Sequence, residues 1–323
     1  MSDRAVVAPG LVLLTVAARR AIAERITELT LQAEDGGPLP TWTPGSHIDL
    51  HLGNGMVRQY SLCGDPRDEG SWRVAVLREE QGRGGSCFLH ESLDVGATMT
   101  ASLPRNHFDF GHEADVVFIA GGIGITPLLP MMEVAEQQQL TWHLYYGGRH
   151  AGSMAYADEL MARYPGRVTV YAESVTGLID LEAVAAKTTL STAVYCCGPS
   201  PLLAAVTRAF ARWPADSVRF ERFAPDPEAG ATAPEGTFEV VFEQSGVTAE
   251  VPVGKSIVEV AESNGVPVIT SCEEGVCGSC ETRVLAGRAD HRDSILSEHE
   301  KKEGDTMMIC VSRSLTRQLV LAI

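Results

Sequence analysis

The chain has 323 residues, 45% of them hydrophobic and 21% charged, which suits two or three packed domains and argues against disorder as the dominant state. A formal charge of −16 argues against a nucleic-acid partner, which calls for concentrated Lys and Arg. It fits either solubility alone or steering toward a basic protein partner. No stretch approaches the roughly 18 uninterrupted apolar residues of a membrane span.

Met1 to Leu14 holds Asp3 and Arg4 and then a short apolar run, with no small-residue cleavage site after it. This reads as a first β-strand of a cytoplasmic protein. From there to about Phe108, short apolar runs such as ITELTLQAE, HIDLHL and RVAVL alternate with Gly, Pro and Asp turns. Evenly spaced short strands predict an antiparallel β-barrel over residues 1–108. Between Asp109 and Phe223 the pattern changes: continuous apolar strands (DVVFIAGG, WHLYYGG, RVTVYAES, AVYCCG) alternate with helical stretches. That alternation predicts an α/β domain with a parallel sheet, residues 109–223. Ala224 to Gly236 is rich in Pro and small or acidic residues, and reads as a semi-rigid linker. Thr237 to Ile323 forms a last small α+β block. It opens with a hairpin (FEVVFEQSG, TAEVPVG) and a short helix that Asn264 and Gly265 stop.

Within the barrel segment, RQYSLC places Arg58 and Tyr60 on one face of a strand, followed by Ser61. Arg83, Gly84, Gly85 and Ser86 then form a turn that opens a helix. Four residues alone are weak evidence, and an Arg, a Tyr and a Ser on a strand are often surface decoration. Together with the turn they make chemical sense for a flavin. Arg58 neutralises a phosphate, Tyr60 covers the ring or ribityl chain, and Ser61 reaches the flavin N5 region. The turn supplies N–H groups and a helix N-terminus to the phosphate, and Arg83 adds a second charge.

In the α/β segment, Gly121, Gly122 and Gly124 sit where a strand meets a helix opened by Thr126 and Pro127. This is G-x-G-x-x-P, without the last glycine of the dehydrogenase fingerprint. Glycines let the backbone approach a pyrophosphate. The later Cys197-Gly198-Pro199 also closes a strand and opens a helix, which strengthens the nucleotide reading. Cys196 and Cys197 also read as buried strand ends. Glu173, ending a strand, accepts from ribose hydroxyls and repels a 2′-phosphate, favouring NADH over NADPH. Arg149, after the preceding strand, argues the other way. Phe223 stacks near the flavin or is a core aromatic. The nine histidines show no metal-ligand spacing.

The eight cysteines end in a cluster: Cys272, Cys277 and Cys280 in SCEEGVCGSC, with Cys310 further on. The C-x4-C-x2-C spacing with a distant fourth cysteine is that of plant-type [2Fe–2S] sites. Thiolates are the soft, anionic donors such iron requires. Gly275 and Gly278 let the loop wrap closely, and Ser271 and Ser279 add hydrogen bonds. A structural zinc site usually pairs two C-x2-C hairpins, and only one is present.

From these residues the last 85 or so residues resemble a plant-type ferredoxin domain. The first 223 resemble the ferredoxin–NADP reductase superfamily, and SLPRNHF (Ser102 to Phe108) is similar to its members. The domain order resembles the phthalate dioxygenase reductase family. That resemblance implies FMN as the flavin and places Cys197 beside the nicotinamide C4 and flavin N5, with Ser61, in hydride transfer. It implies electron flow from NADH to FMN, then to the cluster, then to a separate terminal oxygenase. The sequence holds no oxygen-activating motif of its own. By resemblance the partner is a Rieske-type non-haem iron oxygenase, a demethylase or aromatic-ring hydroxylase, and the reductase is a monomer in isolation without membrane attachment. Competing readings are a reductase for a haem monooxygenase or a separate ferredoxin, and a non-catalytic carrier with a decayed nicotinamide site. The intact glycines and Cys197 argue against the last.

Overall fold

The computed structural model describes residues 10–53, 55–111, 113–225 and 236–323, so most of the predicted linker lies outside the described residues. The chain divides into two units, Met1–Glu221 and Arg222–Ile323.

The first unit begins with β1 (Leu11–Ala23), β2 (Ile26–Ala33), β3 (Ser46–His51), β4 (Val57–Ser61), β5 (Trp72–Leu77), α1 (Gly85–Ser92), β6 (Thr98–Ser102) and β7 (Arg105–Asn106). The strands form an antiparallel sheet in the order β4-β3-β6-β1-β2-β5, with β7 paired to β3. Alternate residues turn inward, as period two requires. Leu14 and Val16, Leu29 and Leu31, Ile48 and Leu50, and Trp72, Val74 and Val76 meet in one core. Register shifts in the long β1 curve the sheet. The Cys63 N–H donates to the Arg73 carbonyl at 2.9 Å, which draws the end of β4 onto β5 and closes the curved sheet toward a barrel.

The same unit continues with β8 (Asp115–Gly121), α2 (Leu128–Gln137), β9 (Thr141–Gly148), α3 (Ala157–Arg163), β10 (Val168–Ala172), α4 (Glu173–Thr176), α5 (Leu181–Lys187), β11 (Ala193–Cys197), α6 (Ser200–Ala209) and β12 (Val218–Glu221). All five strands are parallel, in the order β10-β9-β8-β11-β12. The central strands are apolar throughout because both faces are covered. Val116, Phe118 and Ala120 of β8, with Tyr195 and Cys197 of β11, enter one core, and Val117, Ile119, Val194 and Cys196 enter the other. The first of these cores also takes in Ile26, Cys63 and Ala75 from the antiparallel sheet. Strand order reverses between β8 and β11, and parallel sheets bind ligands outside the strand ends at such a point.

The second unit holds β13 (Phe238–Phe242), β14 (Val247–Val251), α7 (Ile257–Ser263), β15 (Glu281–Ala286), β16 (Ala289–Asp290), α8 (Glu298–Glu303), β17 (Thr306–Met308), β18 (Arg313–Ser314) and β19 (Gln318–Leu321). Its main sheet runs β14-β13-β19-β15-β17, with β13 and β19 parallel. Ile257, Val260 and Ala261 of α7 pack on Phe238, Val240, Phe242 and Leu319, so the mixed sheet grasps the helix. Ser256 caps α7: its hydroxyl accepts from the Glu259 N–H at 3.0 Å, and the Glu259 carboxylate accepts from the Ser256 N–H at 2.8 Å. Replacing Ser256 by Ala removes half of this reciprocal cap. Chemical denaturation monitored on the second unit should show a loss of about 1 kcal/mol.

Candidate functional site

At the switch point β8 runs through Gly121 into a 3-10 turn, Gly122–Ile125, and β11 ends at Cys197 before Gly198, Pro199 and α6. The two turns lie backbone against backbone. A Cβ on Gly124 would stand 2.5 Å from the Cys197 carbonyl carbon and 2.7 Å from the Gly198 nitrogen; one on Gly198 would stand 3.0 Å from the Gly121 Cα. Side chains there would force the turns apart. Gly122 differs, since a Cβ on it would meet nothing within 4 Å, and this leaves the approach that a pyrophosphate needs. Thr126 is buried and its hydroxyl donates to the Ile123 carbonyl at 3.0 Å, bracing the turn from inside.

Cys197 pairs in register with Glu221 of β12, so the two side chains share a face of the sheet. The thiol stands 4.0 Å from a Glu221 carboxyl oxygen. Burial, then the Glu221 carboxyl and Cys196, push the Cys197 thiol well above its ordinary range, so it stays a neutral thiol near pH 7. Glu221 is half-buried as a residue, yet its carboxyl is enclosed, and burial pushes it up to about 8. The Ser61 hydroxyl at the end of β4 partly offsets that rise. Ser61 Oγ is itself buried, with the Glu221 carboxyl as a polar neighbour. A barrel strand and two strands of the parallel sheet therefore bring Ser61, Cys197 and Glu221 together. Glu221 was not anticipated from sequence.

Arg58 and the turn at 83–86 also meet. The Arg58 guanidinium donates to the Arg83 carbonyl at 2.9 Å and to the Val57 carbonyl at 2.7 Å. Its side chain runs against Gly85, where a Cβ would lie 2.5 Å from Arg58 Cγ and Nε. Gly84, in the left-handed region at φ 82°, precedes α1. A guanidinium beside a helix N-terminus fits a phosphate. The Ser86 hydroxyl accepts from the Glu79 N–H at 3.0 Å and so holds the loop. Tyr60 packs against the barrel core, and burial pushes its phenol up, with Arg58 partly opposing. Glu173 is exposed at the start of α4, and Arg149 reaches the same edge: the Ser174 N–H donates to the Arg149 carbonyl at 3.1 Å. Phe223 follows Arg222, the first residue of the second unit, and is 43% exposed.

In the second unit Cys272, Cys277 and Cys280 lie in the loop between α7 and β15, and Cys310 follows β17; all four are buried. Among the described residues no three potential ligands converge on a single-ion site. The thiols neighbour one another in a chain instead, Cys277 to Cys272 to Cys310 to Cys280. Cys272 is held far below its ordinary range by the Cys277 and Cys310 thiols, with the Val276 and Glu274 N–H groups adding to it. Cys280 is lowered mainly by Cys310. The Glu274 N–H donates to Cys272 Sγ at 3.3 Å, and the Ser279 N–H and hydroxyl lie 3.5 and 3.1 Å from Cys277 Sγ. Four neighbouring thiols, two of which accept hydrogen bonds from their own loop, fit an iron–sulfur cluster. The Ser271 hydroxyl, expected to join them, finds no partner. Gly275, at φ 70°, lets the loop press on its neighbours, since a Cβ there would lie 2.6 Å from Val311 Cγ2 and 3.1 Å from Asp293 Cα.

Comparison with known proteins bears on both units. Residues 118–208 match the oxidoreductase NAD-binding domain family, and residues 240–315 match the 2Fe-2S iron-sulfur cluster binding domain family. The chain is 38% identical to the phthalate 4,5-dioxygenase oxygenase reductase subunit of Pseudomonas putida, over 95% of each protein. It matches a solved phthalate dioxygenase reductase, described as a modular structure for electron transfer from pyridine nucleotides to [2Fe-2S]. That match has a TM-score of 0.70 and 35% identity, over 97% of this chain and 98% of the other. It also matches an intact type IV self-sufficient cytochrome P450 monooxygenase, with a TM-score of 0.89 and 37% identity over 99% of this chain. Of that longer protein it spans 43%.

Two outcomes follow from the geometry. A carboxyl raised from 4.5 to about 8 binds its proton more tightly in the folded state, so stability present below pH 4.5 is lost as pH climbs through 8. In flavin-free protein, thermal unfolding of Glu221→Gln should lack the part of the fall between pH 5 and pH 8.5 (about those limits) that wild type shows. Gly275→Ala cannot close its loop without displacing Val311 and Asp293. Iron and sulfide per chain after reconstitution should drop by more than about half while the second unit still folds.

Proposed function

Because this chain belongs to the phthalate dioxygenase reductase family, we propose that it is the NADH-dependent reductase of an oxygenase system, using FMN and a [2Fe–2S] cluster to serve a separate terminal oxygenase. One observation carries the reading: the barrel strand with Ser61 meets Cys197 and Glu221 at the switch point of the parallel sheet, and a four-thiol loop occupies the other unit. The flavin supplies the conversion of a hydride's electron pair into single electrons, which a [2Fe–2S] centre requires. The residues bind, orient and exclude water. Arg58 and the N-terminus of α1 hold the phosphate. Gly122 admits the pyrophosphate, and the Glu173 carboxylate favours NADH by opposing a 2′-phosphate. Cys197, as a neutral thiol, keeps the space between nicotinamide and flavin apolar, and Glu221 holds a proton below about pH 8 beside Ser61. Cys272, Cys277, Cys280 and Cys310 hold the cluster.

The corresponding segments are a flavin domain at 1–108, an NAD domain at 109–223, a linker at 224–236 and a ferredoxin domain at 237–323. The partner is a Rieske-type non-haem iron oxygenase, and the reductase is a cytoplasmic monomer in isolation. No helix among the described residues is long and apolar enough to cross a membrane. A haem monooxygenase partner is the second reading, favoured by the match to the reductase portion of a fused P450.

Anaerobic mixing with NADH tests the reading. Wild type should bleach its flavin absorbance and then reduce its cluster. Cys310→Ser should keep the flavin step and lose reduction of any oxygenase partner, by at least about 100-fold. A Cys310→Ser variant with full coupled turnover would contradict the ligand assignment.

A further inference from the structure

At the junction between the antiparallel and parallel sheets a second buried carboxylate, Glu28, takes partners from both sides. Glu28, on β2, is 6% exposed. It accepts from Arg20 Nε at 3.3 Å and Arg73 at 3.4 Å within the barrel. Its shortest bond is from the other side, where the Tyr156 hydroxyl donates to it at 2.8 Å. Tyr156 also lies 3.8 Å from the thiol of Cys63, two residues beyond Ser61.

Tyr156 is placed with some strain. It precedes α3 with φ 63°, a left-handed conformation that disfavours a non-glycine residue. The segment around it is bound to the barrel at several points: the Glu24 N–H donates to the Gly152 carbonyl at 2.8 Å, and Arg20 pairs with Glu159 at 3.1 Å. The same segment reaches the dinucleotide turn. The Tyr146 hydroxyl is shared between the Ala155 carbonyl at 3.1 Å and the Gly122 carbonyl at 3.0 Å. A continuous route thus runs from Ser61 through Cys63, Tyr156, Ala155 and Tyr146 to Gly122.

Beside this route a cleft of about 230 Å³, open to solvent, is lined in part by Cys63, Arg73, Tyr156 and Leu160. Interlocking side chains normally fix the spacing of two packed layers. Here directional bonds at Glu28 add to that packing. Burial keeps the Tyr156 phenol protonated throughout the working pH range, so the donor is permanent.

We propose that Tyr156, held by Glu28, is a positioning residue that fixes the spacing between the flavin strand ending at Ser61 and the nucleotide turn at Gly122, so that hydride transfer depends on it more than cofactor binding does. The inference rests on the flavin and nicotinamide assignments above. Transfer rates fall steeply with misplacement, by about 100-fold for 1 Å, whereas binding is spread over many contacts.

Tyr156→Phe keeps the ring and removes the bond. FMN content and the NADH dissociation constant should stay within about two-fold of wild type. Anaerobic flavin bleaching should slow about ten-fold, with a weaker NADH–flavin charge-transfer band. Glu28→Gln retains an acceptor for Tyr156 and should slow bleaching less. In flavin-free Tyr156→Phe, amide hydrogen exchange over residues 121–126 should be faster than in wild type. Bleaching of Tyr156→Phe within about two-fold of wild type would overturn the proposal, as would a rate loss matched by equal loss of FMN or NADH binding. If wild type itself failed to bleach with NADH, the proposed function would fall. Unchanged amide exchange would count against the clasp separately.

Discussion

Two backbone turns pressed together, with no room for a Cβ between them, set the geometry of the first unit. Gly124 lies on Cys197 and Gly198, and Gly198 lies on Gly121. Adjacent parallel strands whose connections leave in opposite directions bring their C-terminal turns face to face. Only glycine allows the contact that follows. Once it is made, Cys197 occupies a fixed point at the end of β11, and strand register places Glu221 beside it. The barrel then contributes Ser61 from the opposite side. A chemically distinct surface arises from three ordinary strand ends.

Electron counting explains the second unit. A nucleotide that delivers electrons in pairs cannot serve a one-electron partner directly. In the proposed assignment the thiol loop around Gly275 would provide a one-electron site, with its own hydrogen-bond donors to sulfur from Glu274 and Ser279. Donors of this kind stabilise negative charge on the sulfurs, and so bear on the potential at which the site accepts an electron. Plant-type clusters lie near about −400 mV, low enough for varied acceptors.

The features legible in the sequence were those that chemistry confines to a short segment. The C-x4-C-x2-C loop, the glycine turn at 121–124 and the switch from alternating to continuous apolar strands all belong to this kind, and the antiparallel, parallel and ferredoxin-like parts followed from them. Glu221 was not legible, because its meaning comes from pairing with Cys197 across strands separated by a helix, and register is a tertiary property. The Glu28–Tyr156 bond joins residues 128 apart and was hidden for the same reason. The hydroxyls of the two turns had roles that only the fold shows. Ser86 and Thr126 lie in the expected turns, and the hydroxyl of each braces its own loop. The substrate of the partner oxygenase leaves no mark here, since it never touches this chain.

Electron capacity tests the pairing of a flavin with a cluster most directly. Anaerobic dithionite titration of the purified, fully loaded protein, followed by flavin absorbance and by the paramagnetic signal of the reduced cluster, measures it. Uptake of about three electrons per chain, two into the flavin and one into the cluster, is the result expected. Uptake of about two with no cluster signal, or of about one with no flavin bleaching, would contradict it.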